Sequence, residues 1–299
     1  MQTWSLGSVT ITRVEEQIGF AHMPPERYFR GFDRELFNRH LSWLAPNHYD
    51  PITDRVVSSV HSWIIRAGAT TILLDACAGN HKPRSWTPRF NQLDTPYLAR
   101  LRAAGCSPED IDIVLCTHLH ADHVGWNTML RDGRWVPTFP NAKYLFSKTD
   151  DAYWDPGRNA AMVSDPRSAV YTDSILPVVQ AGQATLVEDG YRLSSQLAVF
   201  ATPGHTPGHV SLKFEDAHAR AIFCGDVIHH PIQIYAPHWN HMADERPEVA
   251  GPTRHDLLGA CAETGALLFP THFGSPHVVR ITGVAGVGFA GEFIPPIGT

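Results

Sequence analysis

The apolar run Ile111-Asp112-Ile113-Val114-Leu115-Cys116 leads directly into Thr117-His118-Leu119-His120-Ala121-Asp122-His123, and few folds can accommodate that junction. A short run rich in β-branched residues reads as a strand, so the polar groups are delivered at a strand end. Three histidines and one aspartate then fall within six positions. Imidazole nitrogen and carboxylate oxygen are the ligands of a borderline divalent ion, and zinc accepts both. On an extended backbone His118 and His120 alternate, so both point to one side. Asp122 and His123 follow where the chain turns and can face a second ion. Four ligands so closely spaced point to two adjacent metal sites. The ordinary alternative, surface histidines in a polar loop, loses ground if the rest of the chain supplies more ligands.

Composition sets the frame for that motif. The 299 residues are 43% hydrophobic and 18% charged, as in a globular protein with a substantial core. A net charge of −6 argues against a nucleic-acid partner, which usually requires a basic face. Eighteen histidines make any single one weak support, so only constellations count. The five cysteines, Cys77, Cys106, Cys116, Cys224 and Cys261, are odd in number and form no Cys-x-x-Cys pair, so neither a disulfide framework nor a thiolate zinc site is signalled. The amino terminus lacks a basic segment followed by an apolar one, and no apolar run has transmembrane length. The expectation is a cytoplasmic protein that does not enter a membrane and acts on a small molecule.

Taken in order, residues 9–14 read as a first strand. Residues 18–55 form an aromatic-rich arm, with Phe20, Tyr28, Phe29, Phe32, Phe37, Trp43 and Tyr49. The arm either packs over the core, or walls a substrate pocket or a homodimer contact. Residues 56–66 and 70–75 read as a hairpin about Gly68. Asp94 is the expected N-cap of a helix carrying Leu98 and Leu101, with Gly105 at its end. Ser107 caps a short turn before strand 111–116. Residues 142–146 read as a strand and Lys148–Trp154 as a helix start. Residues 150–182, interrupted by Pro156, Pro166 and Pro177, form an insertion over the site, with Trp154 and Met162 as pocket candidates. Strands follow at 184–187, 197–202, 209–214, 219–224 and 266–269, with a helix at 252–264. One layered α/β domain spanning residues 1–299 is the expected organisation.

Three later positions complete the ligand series. His205 lies in Pro203-Gly204-His205-Thr206-Pro207-Gly208-His209, where proline and glycine restrict the backbone. Asp226 follows Gly225 directly after a strand, and His272 follows Pro270-Thr271. Each sits where a strand ends and a loop begins, the usual place for functional groups on a rigid scaffold.

In order and spacing, His118-x-His120-x-Asp122-His123, Pro203-Gly204-His205-Thr206-Pro207-Gly208-His209, Gly225-Asp226 and Thr271-His272 resemble the motif series of the metallo-β-lactamase-fold hydrolase superfamily, over roughly residues 56–275. The resemblance implies a four-layer αβ/βα sandwich with two divalent metal ions, zinc foremost. It assigns His118, His120 and His205 to one ion, Asp122, His123 and His272 to the other, and Asp226 to both. His209 is left to support the turn.

A divalent ion lowers the pKa of bound water from about 16 toward 7, so hydroxide is available at neutral pH to attack a carbonyl carbon or a phosphorus. Asp122 can orient that nucleophile or take its proton. Zinc β-lactamases place a cysteine where Asp226 stands, and Cys224 belongs to an apolar run. Glyoxalase II enzymes carry a glutathione-binding extension, whereas only 27 residues follow His272 here (299 − 272) and their glycines and prolines read as loop. A lactone or carboxylic ester is therefore the expected substrate class, as in the acyl-homoserine lactonases. Those have a tyrosine three residues after the bridging aspartate, and His229 occupies that position, where it can donate a hydrogen bond to substrate. Phosphotriester hydrolysis, as in methyl parathion hydrolase, is the second reading. A mononuclear iron sulfur dioxygenase is the reading from another class.

Overall fold

The computed structural model describes residues 2–286 and 288–297. The chain divides into two compact units, each assembled from two separated stretches: Met1–Gln17 with Val60–Asp189, and Ile18–Ser59 with Gly190–Thr299.

The first unit is built on a mixed sheet. Strand Gln2–Leu6 pairs antiparallel with Val9–Phe20, which neighbours Arg55–Ala67. The hairpin of Arg55–Ala67 with Thr70–Leu74 closes at Gly68, whose φ of 60° suits glycine. Parallel strands Ile113–Leu115, Lys143–Ser147 and Ala184–Val187 extend the sheet. Parallel strands need crossovers, and helices Tyr97–Ala103 and Lys148–Trp154 lie in two of them. Ile64, Leu73, Val114, Phe146, Tyr97 and Leu101 meet in the unit's core.

The helix expected from Asp94 begins instead at Tyr97, without a side-chain cap. The amide of Thr95 donates to the Asn80 side chain (2.8 Å), which holds that stretch in a loop. Helix Lys148–Trp154 begins as expected, with Ser147 accepting from the Asp150 amide. The 155–182 segment becomes continuously helical only from Ser168, with a π-helical turn over Tyr171–Ile175. Trp154 and Met162 are both buried in the core.

In the second unit the strand order is Leu197–Ala201, Val210–Glu215, Arg220–Gly225, Leu267–Pro270, Val279–Val284, Gly288–Phe293. Among the described residues only the Arg220–Gly225 and Leu267–Pro270 pair of this sheet is parallel, and helix Pro247–Thr264 lies in the connection between them. That helix starts five residues before the expected Pro252, because Pro247 takes the first-turn place where the missing N–H costs nothing. Gly265, at φ 70°, ends it.

The tail read as loop is a hairpin, Val279–Val284 with Gly288–Phe293, paired over six residues. Its glycines have structural reasons: Gly286 (φ 71°) and Gly288 (φ 117°) have the backbone a turn needs. A Cβ on Gly291 would stand 3.0 Å from the Ile234 and Val279 side chains.

The aromatic arm packs within its own unit. Tyr28, Phe29, Phe37 and Tyr49 are buried with Ile232, Ala236 and Trp239, while Ile18, Phe20 and Ile52 remain exposed. No helix among the described residues is long and apolar enough to cross a membrane.

Candidate metal centre

In the first unit the site grows from the ends of adjacent parallel strands, where open α/β sheets usually bind ligands. Leu74 is in register with Leu115, so Asp75 and the His118 motif emerge side by side. Asp75 adopts a φ of 58°, a left-handed conformation that aspartate tolerates better than most residues. Its buried carboxylate accepts the Thr117 amide at 2.8 Å through Oδ1 and the Nδ1–H of His123 at 3.0 Å through Oδ2. With Nδ1 committed, His123 presents Nε2, which lies 4.0 Å from Asp122 Oδ1. His118 Nδ1 is likewise engaged, 3.1 Å from the Thr117 hydroxyl. The centre of the His118 ring stands 4.0 Å from that of His123 and 4.7 Å from that of His120, whose ring lies edge-to-face with Trp154 at a centroid distance of 5.2 Å. His118, His120, Asp122 and His123 thus lie together.

The turn that carries them is held from beneath. The amides of Gly125 and Trp126 donate to Cys77 and Ala76 carbonyls at 2.7 Å. A Cβ on Gly125 would lie 1.8 Å from the Ala78 carbonyl oxygen, so only glycine permits this approach. Glu16 closes the base, accepting from the amides of Ala78 and Gly79 and from Trp126 Nε1. Burial raises its carboxyl above the usual range, against the pull of those donors.

In the second unit Asp226 is the centre. Three imidazole Nε2 atoms surround its carboxylate: His205 at 3.3 Å, His272 at 3.1 Å and His229 at 3.1 Å. His272 donates its Nδ1–H to the Ser59 carbonyl at 2.8 Å, and His205 donates its own to Asp244 at 2.8 Å. His205, Asp226 and His272 therefore also lie together, with the Nε2 of both histidines turned toward the Asp226 carboxylate. The glycine before His205 has φ 137°, and a Cβ there would lie 2.4 Å from Ala250 Cα in helix Pro247–Thr264.

His209 has a different place. Its Nε2 accepts the Asp226 amide at 3.1 Å, so Nδ1 carries the proton and donates to the Thr202 hydroxyl at 2.8 Å. Both nitrogens are used, and the residue holds Asp226 in position.

His229 is buried and stacked on His241, with ring centroids 4.0 Å apart. Its approach to Asp226 lacks hydrogen-bond geometry, and neither ring nitrogen has a hydrogen-bond partner among the described residues. Burial is the main cause that lowers its pKa to about 4, so the ring is neutral at pH 7. Burial lowers His241 as well.

Neutral imidazoles with one nitrogen tied back to a carboxylate or carbonyl are the usual form of histidine metal ligands. Around a shared carboxylate they make the donor set a borderline divalent ion prefers, so these residues fit such an ion. His205, His229, His241 and Asp244 also offer ligand atoms within 4.8 Å of one another. There, however, the Arg254 guanidinium already stands 3.5 Å from Asp244 and supplies the positive charge.

Sequence reasoning passed over Asp75, His241, Asp244 and Arg254. Asp75 carried a signal, a carboxylate ending an apolar strand. Asp244 and Arg254 lie in no motif and acquire meaning only from their partners.

A family model for the metallo-beta-lactamase superfamily matches residues 55–274. A hydroxyacylglutathione hydrolase from Synechococcus is 34% identical over 140 residues, 44% of this chain and 41% of that protein. An N-acyl homoserine lactonase from Bacillus is 28% identical over 118 residues, 38% of this chain and 37% of that protein. The chain thus spans about two fifths of the length of these curated relatives. Among solved structures, that of hydrolase AbOPH in the beta lactamase superfamily superposes with a TM-score of 0.81 at 25% identity, over 100% of this chain and 97% of the other. The α/β fold expected from the motif series is the fold found, and the chain belongs to the metallo-β-lactamase superfamily.

Proposed function

We propose that this protein is a metal-dependent hydrolase of lactones or carboxylic esters. The observation that carries the reading is the Asp226 carboxylate, ringed at 3.1–3.3 Å by three buried imidazoles. The similarity to an N-acyl homoserine lactonase supports the lactone, and that to a hydroxyacylglutathione hydrolase supports acyl transfer to water more generally.

In this reading His118, His120, Asp122, His123, His205, Asp226 and His272 would hold the divalent ions. Zinc matches the nitrogen-and-carboxylate donor set. When bound, such ions acidify water toward neutral pKa and polarise an acyl oxygen. The chain's own residues supply the rest. Asp75 and the Ser59 carbonyl fix the tautomers of His123 and His272. In the same reading Asp122 takes a proton from the attacking water; its side chain, 16% exposed beside fully buried His123, supports that role. His229, buried beside Asp226, donates a hydrogen bond to the substrate's acyl oxygen as negative charge develops there.

The test is a panel of an acyl-substituted butyrolactone, an aryl ester, a hydroxyacyl thioester and a phosphotriester, assayed on metal-quantified protein. A lactone or ester kcat/KM at least about tenfold above the others is expected, tenfold being about 1.4 kcal/mol of transition-state discrimination. A dominant phosphotriester or thioester rate overturns the substrate class. Iron as the sole metal, together with substrate-dependent oxygen consumption, replaces hydrolysis with dioxygenation.

A further inference from the structure

His205 is held by one short segment at both its backbone and its ring. The amides of Glu245 and Arg246 donate to the His205 and Gly204 carbonyls, each at 2.9 Å. Asp244, in the same segment, accepts the His205 Nδ1–H at 2.8 Å through Oδ1. Its other oxygen accepts the His241 amide at 2.9 Å and faces Arg254 Nη2 at 3.5 Å. Asp244 is 3% exposed and Arg254 is fully buried, so neither is a surface ion pair.

Arg254 does more than balance a charge. Its Nε donates to the Val227 carbonyl at 2.7 Å, one residue after Asp226. Its Nη1 donates to the carbonyls of Pro237 at 2.7 Å and Trp239 at 2.9 Å. One guanidinium on helix Pro247–Thr264 therefore joins the strand end that presents Asp226 to the loop that presents Asp244. A carboxylate on the far nitrogen of a ligating imidazole fixes its tautomer and raises its basicity.

We propose that Asp244, backed by Arg254, is a positioning residue that fixes His205 with Nε2 toward a divalent ion and sets the affinity of that ion. This rests on the metal-dependent reading above. The group does not belong to the motif series that identified the ligands, and it acts through His205 rather than on substrate.

The test compares the wild-type protein with Asp244→Asn and Asp244→Ala, by competition for zinc against a chromophoric chelator and by the absorption spectrum of the cobalt-substituted protein. Wild type should bind two ions per chain. Asp244→Ala should lower the affinity for one of them roughly 10–100-fold and alter the cobalt spectrum. Asp244→Asn, which retains an oxygen to accept Nδ1–H, should fall between the two and carries the test if the alanine variant does not fold. Wild-type affinity and spectrum in Asp244→Asn and Asp244→Ala overturn the proposal. So does a drop in the melting temperature of metal-free Asp244→Asn as large as that of its metal-loaded form, which marks a general structural role. A wild-type protein that binds two ions while the variants match it leaves the hydrolase reading standing. A wild-type protein that binds none ends both.

Discussion

At the residue scale, Asp226 and His118 carry the strongest expectation. Under the proposed metal-dependent reading, replacing either with alanine removes a ligand from a set in which His123, His205 and His272 are each held through Nδ1 by a second partner. Each variant should lose bound metal by elemental analysis and activity with it, and full activity without metal ends the reading. His229 predicts a different pattern. His229→Ala should keep both ions while kcat falls on the order of 100-fold, the usual loss for one charge-stabilising donor. A fall in metal content instead would make His229 a ligand. Gly125→Ala tests the support beneath the first cluster. Its Cβ must displace the Ala78 carbonyl, at a cost of about 3 kcal/mol in urea unfolding, the upper end for an overpacked site.

The residues legible in the sequence were those whose neighbours restrict them, as in His-x-His-x-Asp-His or Pro-Gly-His-Thr-Pro-Gly-His. Asp244 and Arg254 were not legible, because their roles come from hydrogen bonds to side chains and carbonyls tens of residues away, such as His205 and Val227.

At the scale of elements, the loop at 79–95 in the first unit carries a buried charge imbalance. Arg84 makes two hydrogen bonds of 2.6–2.7 Å to Asp173, and Lys82 lies 3.5 Å from the same carboxylate. The Lys82 ammonium also donates to the Thr128 hydroxyl at 2.6 Å and sits 3.6 Å from the Trp135 ring centre. Burial, with the neighbouring Arg84, lowers its pKa to about 7, although Asp173 pulls the other way. Between pH 7 and about 10.5 the unfolded chain therefore binds the proton that the folded chain has lost, and stability rises with pH. The rise is at most about 1.4 kcal/mol per pH unit. Urea unfolding at pH 7 and pH 9.5 should show it in the wild type, with a flatter profile in Lys82→Met. Parallel profiles would falsify the assignment.

Elements were readable where period and punctuation agreed, as in the hairpin about Gly68 and the helix from Lys148. They failed where tertiary contacts overrode the local signal. Asn80 delays the helix expected at Asp94, and a glycine-rich tail pairs as strands because Gly291 fits against Ile234 and Val279.

At the scale of the whole molecule, the proposed metal-dependent reading bears on stability. Ions bound by the native protein and not by the unfolded chain stabilise by mass action, about 2.7 kcal/mol at a hundredfold excess over Kd. Prolonged treatment with a chelator should therefore lower the melting temperature by roughly 5–10 °C for a chain of this size, with recovery on adding zinc. An unchanged melting curve after complete removal would deny the ions a part in holding the fold. The family was legible from its ordered motifs alone. The division of the chain was not, because the points at Gln17 and Ser59 fall inside strands Val9–Phe20 and Arg55–Ala67, where no glycine- or proline-rich linker marks them.

That division has a bearing on how the protein is made. The aromatic arm at 18–59 belongs with residues 190–299, and about 130 residues of the other unit are synthesised in between. At roughly 5–20 residues per second, a ribosome takes roughly 7–26 s to cross them. Throughout that time Phe29 and Phe37 have been made while Ile232 and Trp239, which will bury them, do not yet exist. The nascent chain thus carries an unpaired apolar segment, the kind of transiently exposed surface that makes incompletely folded chains prone to aggregate.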